Sequence, residues 1–196
     1  YDFNGDYAKQ LSRDLIYTVD AQDVAFDITV GNGNGVVLTG TGDDNVLDKN
    51  IILKGDGELR IGDGTNEATV SVSLSNINLE ATVNGGLIVR EKAILNLIGE
   101  DNTLTKDIAG TGTTKLGGTL NVLDNGLSIV GTLDGNEKTL NMTTGVANSA
   151  INTLTVGRLT GNINLQLDVD MSNLESISND KLVIGEVENS SIITIN

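Results

Sequence analysis

The sequence predicts an all-β solenoid, with short strands stacked in parallel, coil upon coil, around one aliphatic core. Three observations lead there. Short apolar segments with period-two alternation recur from end to end, the pattern of strands that bury one face. The apolar residues are nearly all aliphatic: Leu, Ile, Val and Phe number 61 of 196. Small Gly, Asn, Thr and Ser separate them, in place of the Ala, Glu and Lys that fill helices. Finally, a degenerate repeat returns at intervals of about 20–25 residues, the length of solenoid coils.

From the N-terminus, residues 1–20 stand apart. Tyr7, Ala8, Leu11, Leu15 and Ile16 fall at i, i+4 and i+8 spacing, with Lys9, Gln10, Ser12 and Arg13 on other faces. They read either as a short helix capping the open end of the core, or as an ordinary first coil. Residues 21–196 form one continuous domain. Its clearest strands place Val24, Phe26, Ile28 and Val30 on one face, then Val70, Val72 and Leu74, then Ile77 and Leu79, then Ile163, Leu165, Leu167, Val169 and Met171. Between them lie turn clusters such as Gly31-Asn32-Gly33-Asn34-Gly35, Thr41-Gly42-Asp43-Asp44-Asn45, Gly62-Asp63-Gly64-Thr65-Asn66, Asn84-Gly85-Gly86 and Asp134-Gly135-Asn136. These supply the positive φ angles of tight turns.

The repeat is an apolar-Asn-apolar unit: Leu95-Asn96-Leu97, Leu120-Asn121-Val122, Leu140-Asn141-Met142 and Ile163-Asn164-Leu165. Gly86-Leu87-Ile88-Val89 and Gly126-Leu127-Ser128-Ile129 form another matching pair. One coil cannot bury its own apolar side chains, so stacked coils pair in parallel and uneven periods become loops of different length. The absence of Pro suits strands that use both edges. A leucine-rich solenoid, echoed by Leu116, Leu120, Val122 and Asn125, is the competing architecture, but the helix-forming half of its repeat is missing.

Composition also bounds the chemistry. Cys and His are absent, which removes disulfides, Cys/His metal sites and Ser–His or Cys nucleophiles from this chain. A net charge of −15 repels nucleic-acid phosphates and anionic lipid surfaces, so nucleic acid is not an expected partner. No apolar run approaches the ~18 residues of a membrane span, and direct membrane insertion by this segment is not expected. Tyr1 opens the sequence without Met or an export signal, so it reads as an internal piece of a larger protein.

Several segments resemble the passenger regions of bacterial autotransporter-type adhesins. They are Thr113-Thr114-Lys115-Leu116-Gly117-Gly118-Thr119-Leu120-Asn121-Val122, Leu154-Thr155-Val156, and Leu165-Gln166-Leu167-Asp168-Val169-Asp170 followed by Ser178-Asn179-Asp180-Lys181-Leu182-Val183-Ile184. The resemblance covers the C-terminal half, and the N-terminal half shares only its style. It implies a single-stranded right-handed parallel β-helix located outside the cell or on the bacterial surface, and it carries over no catalytic residue. Low Lys and Arg content, no Cys and contacts between adjacent coils independently suit passage through a pore followed by stepwise folding.

No residue is assigned a catalytic, cofactor-binding or metal-binding role, and no cofactor is expected. The candidates weighed are these. Gly55-Asp56-Gly57, Gly62-Asp63-Gly64 and Gly40-Thr41-Gly42-Asp43-Asp44-Asn45 faintly resemble Gly- and Asp-rich calcium repeats, but without the tandem run those need, and solvated turns are the simpler reading. Asp43 with Asp44, in a turn, and Asp168 with Asp170, which alternation with Leu167, Val169 and Met171 places on the solvent face of one strand, are the acid pairs that a polysaccharide-cleaving β-helix enzyme would use. Arg90-Glu91-Lys92 reads as a charged turn. Asn76, Asn78, Asn162 and Asn164 offer amides to a glycan, though few aromatic rings are present to stack on a sugar. The expected function is therefore a non-catalytic stem or adhesive passenger, with a host-surface protein, a glycan or another copy as its partner. A carbohydrate-active enzyme is the alternative.

Overall fold

Aliphatic residues at every second position, broken by glycine turns, produce strands two to eight residues long that cannot shield their own backbones. The computed structural model describes residues 2–3, 16–31, 33–80, 86–144, 151–170 and 178–196. Every strand pair there is parallel except Val169–Asp170 with Ser178–Asn179. The result is an all-β, solenoid-like pile of rungs, each contributing a strand to up to three stacks.

The first stack runs through Ile16–Asp20, Gly35–Thr39, Glu58–Ile61, Leu87–Val89 and Ile108–Ala109. The second runs through Val46–Leu47, Ala68–Val72, Ala93–Leu97 and Thr113–Leu116. Three long strands, Leu127–Asp134, Thr153–Thr160 and Lys181–Val187, then extend both stacks at once. A third stack comes in two parts. Asp2–Phe3, Ile28–Val30, Ile51–Leu53 and Ile77–Leu79 form one. Asp101–Leu104, Thr119–Val122, Lys138–Asn141, Ile163–Gln166 and Ile193–Ile195 form the other.

Inward side chains align into columns. Val36, Leu59, Leu87, Ile108, Ile129 and Val156 follow one another in register, and all are essentially buried. Leu120, Leu140 and Leu165 do the same on the third stack. Each column buries its aliphatic surface against the rungs above and below, so stability accrues rung by rung.

Glycine makes the corner where one strand serves two stacks. Gly157 lies between Val156 and Arg158, whose partners Ile184 and Glu186 flank Gly185. A Cβ at Gly157 would overlap the carbonyl of Val130, and one at Gly185 would meet the Gly157 carbonyl oxygen at 2.6 Å. One rung earlier, Val130 and Gly131 together oppose Gly157, a register shift that marks a β-bulge.

The structure departs from the sequence reading in several places. The repeat units are not all equivalent: Leu120 does pair with Leu140, but Leu140 pairs with Leu165 and not Ile163, while Leu95 lies on the second stack opposite Val70 and Thr114. Likewise Leu87 aligns through Ile108 with Ile129, two residues beyond Leu127. The strand at Ile28–Val30 starts later than expected, leaving Phe26 exposed, and Leu74 belongs to a 3-10 turn, Leu74–Asn76. The strand read from Ile163 to Met171 ends at Gln166, and Met171 lies outside the described residues. Of the two readings of residues 1–20, a capping helix or an ordinary first coil, Ile16 follows the second: it begins a strand that pairs with Gly35–Thr39. Residues 4–15 of that segment lie outside the described residues.

Candidate functional site

The acidic side chains of this chain have a recurring task. Backbone N–H groups at rung corners fall outside the ladders and need acceptors, and a carboxylate is the strongest that a side chain offers. Asp20 accepts Thr39 Oγ1 at 2.6 Å, Asp27 the N–H of Asn50 at 2.8 Å, and Asp56 the N–H of Gly33 at 2.6 Å. Asp107 accepts the N–H of Ser128 at 2.7 Å. Each bridge spans one rung, 19 to 23 residues along the chain.

The acid pairs weighed as catalytic are distributed by the same logic. Asp168 Oδ2 accepts the N–H and the hydroxyl of Thr144, at 2.8 and 2.9 Å. Its own N–H donates to Asp180 Oδ2 at 2.8 Å, and Asp180 Oδ1 accepts the N–H of Asn152 at 2.8 Å. Asp180 is only 2% exposed. Asp168 is thus a half-buried brace, and not one of two carboxylates on the solvent face of a strand. Asp170 pairs with Ser178 through its backbone, and its side chain lies outside the described residues. Asp43 and Asp44 sit exposed in a turn.

Asp63 closes its own turn by accepting the N–H groups of Asn66 and Thr65, at 2.8 and 2.7 Å. Those bonds, Asn66 first, hold its carboxyl down to about 2. Asp27 is lowered for the same reason, chiefly by the N–H of Asn50. Among the described residues no group of three His, Cys, Asp or Glu stands ready to hold a metal ion.

Buried asparagines brace the interior. Asn45, fully buried, donates to the carbonyls of Thr39 and Thr69, both at 2.7 Å, and accepts the N–H of Gln22 at 3.1 Å. One amide thereby ties three consecutive rungs. Asn102 Oδ1 accepts the N–H of Leu74 at 2.9 Å where the third stack is broken between Ile77–Leu79 and Asp101–Leu104. Asn121 and Asn141, in register, share a bond of 2.8 Å.

The asparagines considered for glycan contact are largely committed. Asn162 Oδ1 accepts the N–H of Ile192 at 3.0 Å, Asn164 donates to Glu137 O at 3.2 Å, and Asn76 reaches Lys49 O at 3.5 Å. Asn78 is exposed and bonds Glu80 at 3.0 Å. Arg90-Glu91-Lys92 is a turn, as read, with Lys92 at φ 65° and its ammonium on Thr65 O at 3.1 Å.

At the break in the third stack lies a groove of about 400 Å3 lined by Leu74, Ile77, Leu79, Leu87, Thr103 and Lys106 among others. Its floor is aliphatic, and its rim holds one acid, Asp101, and one base. Neither of the acid pairs weighed from the sequence lines it.

Sequence reasoning missed the bracing aspartates and the corner glycines. The glycines do leave a signal: Val130-Gly131-Thr132-Leu133, Val156-Gly157-Arg158-Leu159 and Ile184-Gly185-Glu186-Val187 share a β-branched-Gly-x-aliphatic pattern. No protein-family model matches the chain, and neither does any curated protein or any solved structure.

Proposed function

We propose that this chain is a non-catalytic stem region of a secreted or surface-displayed bacterial protein, built as a single right-handed parallel β-helix and serving adhesion or as a stalk. The observation that carries the reading is the use of the acidic side chains. Asp20, Asp27, Asp56, Asp107, Asp168 and Asp180 each tie their own rung to a neighbouring one. A catalytic carboxylate must keep a lone pair or a proton for substrate, whereas each of these spends an oxygen on a neighbouring rung, on a backbone N–H in every case but Asp20, which takes the Thr39 hydroxyl. A stalk needs rungs that hold their neighbours by local bonds and can be added or removed as units.

The test removes one rung. Ile108 and Ile129 are register partners, so deleting residues 108–128 joins Asp107 to the next equivalent position. A stem keeps its strand circular dichroism and unfolds in a single transition at a lower midpoint. Complete loss of structure would sink the modular reading. New reducing ends from a polysaccharide panel, lost in Asp43→Asn or Asp168→Asn, would replace the stem with an enzyme.

A further inference from the structure

The outside of the third stack repeats a pattern of its own. Thr119-Leu120-Asn121, Thr139-Leu140-Asn141 and Asn164-Leu165-Gln166 lie in register on successive rungs. The middle residue of each is buried, so the flanking side chains, all half-buried, point outward. They form two columns along the stack, Thr119, Thr139 and Asn164 in one, and Asn121, Asn141 and Gln166 in the other. None of the six is charged, in a chain of net charge −15. The second stack shows that folding does not require this. Its outward threonines Thr113 and Thr132 are also in register, yet Lys115, Asp134 and Arg158 stand beside them.

Part of the hydrogen-bonding capacity of these columns goes into bracing. Asn141 donates to Asn121 Oδ1 at 2.8 Å, and its own oxygen accepts the N–H and the hydroxyl of Thr143 at 3.0 and 2.7 Å. Asn164 donates to Glu137 O. The rest faces solvent: the hydroxyls of Thr119 and Thr139, the Gln166 amide and the NH2 group of Asn121 make no bond to a described residue.

We propose that this face binds an extended, uncharged polysaccharide lying along the stack. Sugar hydroxyls donate and accept at once, and the free hydroxyls and amides here offer both functions. Because the columns run across the strands, a ligand that follows them meets a fresh pair of polar groups every ~4.8 Å. That suits a linear polymer whose hydroxyls recur along a line. The lack of charge sets the selectivity. No cation among the six positions pairs with a carboxylate or sulfate, and the negative field of the whole chain repels acidic polymers. No aromatic ring stands among them to stack on a sugar, so affinity is spread over several rungs. The inference rests on the adhesive reading above and names the chemistry of its partner.

Affinity electrophoresis of the 196-residue chain through gels containing hydroxyethylcellulose or galactomannan tests this, with polygalacturonate as the acidic comparison. The neutral polymers retard the wild type and polygalacturonate does not. Thr119→Val with Thr139→Val removes two hydroxyls, keeps the β-branched shape and raises the dissociation constant about tenfold. The same exchange at Thr113 and Thr132, on the second stack, leaves it unchanged. Gln166→Glu puts a charge on the face at a side chain with no protein bond to lose, and weakens retardation. Circular dichroism confirms that each variant keeps its strands. Retardation by neither neutral polymer would overturn the proposal and leave the stem standing as a stalk. Retardation that ignores the changes on this face, or falls equally with the Thr113 and Thr132 exchange, would overturn it as well. Binding at this face accompanied by new reducing ends would keep the glycan site and remove the adhesive reading instead.

Discussion

Asn45→Ala is the most informative single substitution. The amide it removes is fully buried and makes three bonds to three rungs, at 2.7, 2.7 and 3.1 Å. Alanine leaves the carbonyls of Thr39 and Thr69 and the N–H of Gln22 without that partner. An unsatisfied buried polar group costs about 1–3 kcal/mol, and the three share one site, so the expected loss is about 3–5 kcal/mol. That is a large part of the roughly 5–15 kcal/mol that holds a domain together. Urea unfolding followed by circular dichroism reads it as a fall in midpoint of about 1–2 M, for a slope of about 2–3 kcal/mol per molar. Hydrogen exchange localises the effect, since the Gln22 amide loses its acceptor. Asn45→Asp adds a sign: only the protonated acid donates a hydrogen bond to those carbonyls, so this variant is closer to wild type in acid than at neutral pH. A loss under about 1 kcal/mol with Gln22 still protected would refute the claim that the amide ties these rungs.

The other predictions concern the corner, the terminal brace and one turn. Gly157→Ala forces a Cβ against the Val130 carbonyl and costs about 1–3 kcal/mol in thermal or urea unfolding. Gly126→Ala, with open space around it at φ 80°, costs only the left-handed backbone penalty of about 1 kcal/mol. Asp180→Ala strands the N–H groups of Asn152 and Asp168 and costs about 3 kcal/mol, while Asp180→Asn, keeping one acceptor oxygen, costs about half as much. Carboxyl NMR gives Asp63 a midpoint near 2, from its bonds to Asn66 and Thr65. Because the folded value lies below the unfolded 3.8, its contribution to stability is present above that value and fades as pH falls toward 2. A midpoint near 3.8 would mean that the turn bonds do not persist in solution.

The parallel rung architecture was legible because period-two burial and glycine punctuation are local. Val70, Val72, Leu120, Leu140 and Leu165 were all placed facing the core, and all are buried there. Register was harder. Adjacent rungs are offset by 19 residues at Ile16–Gly35 and by 30 at Ile163–Ile193, so a fixed period cannot align them. Matching by the apolar-Asn-apolar unit put Leu95 in the wrong stack, because both stacks alternate in the same way. Asp168 was misjudged for a different reason. Alternation along Leu167-Asp168-Val169 implies a solvent-facing acid only if the strand continues, and it stops at Gln166. Backbone left unpaired beyond a strand end is where a carboxylate becomes structural.

The same reasoning explains how rungs of such unequal length keep one core. Where two stacks share a strand, small residues let the chain pass the corner without a loop, as at Gly157 and Gly185. Where the corner is a loop, the unpaired N–H groups vary in number with loop length, and aspartates meet them: Asp27 serves Asn50, Asp56 serves Gly33, and Asp107 serves Ser128. A charged acceptor at an exposed corner tolerates insertions that a ladder bond would not, because it needs one donor and no fixed register. The net charge of −15 is in part a consequence of this device. Neutralising the bracing aspartates as a set would then lower solubility and loosen the rungs together, whereas neutralising Asp43 and Asp44 would affect solubility alone.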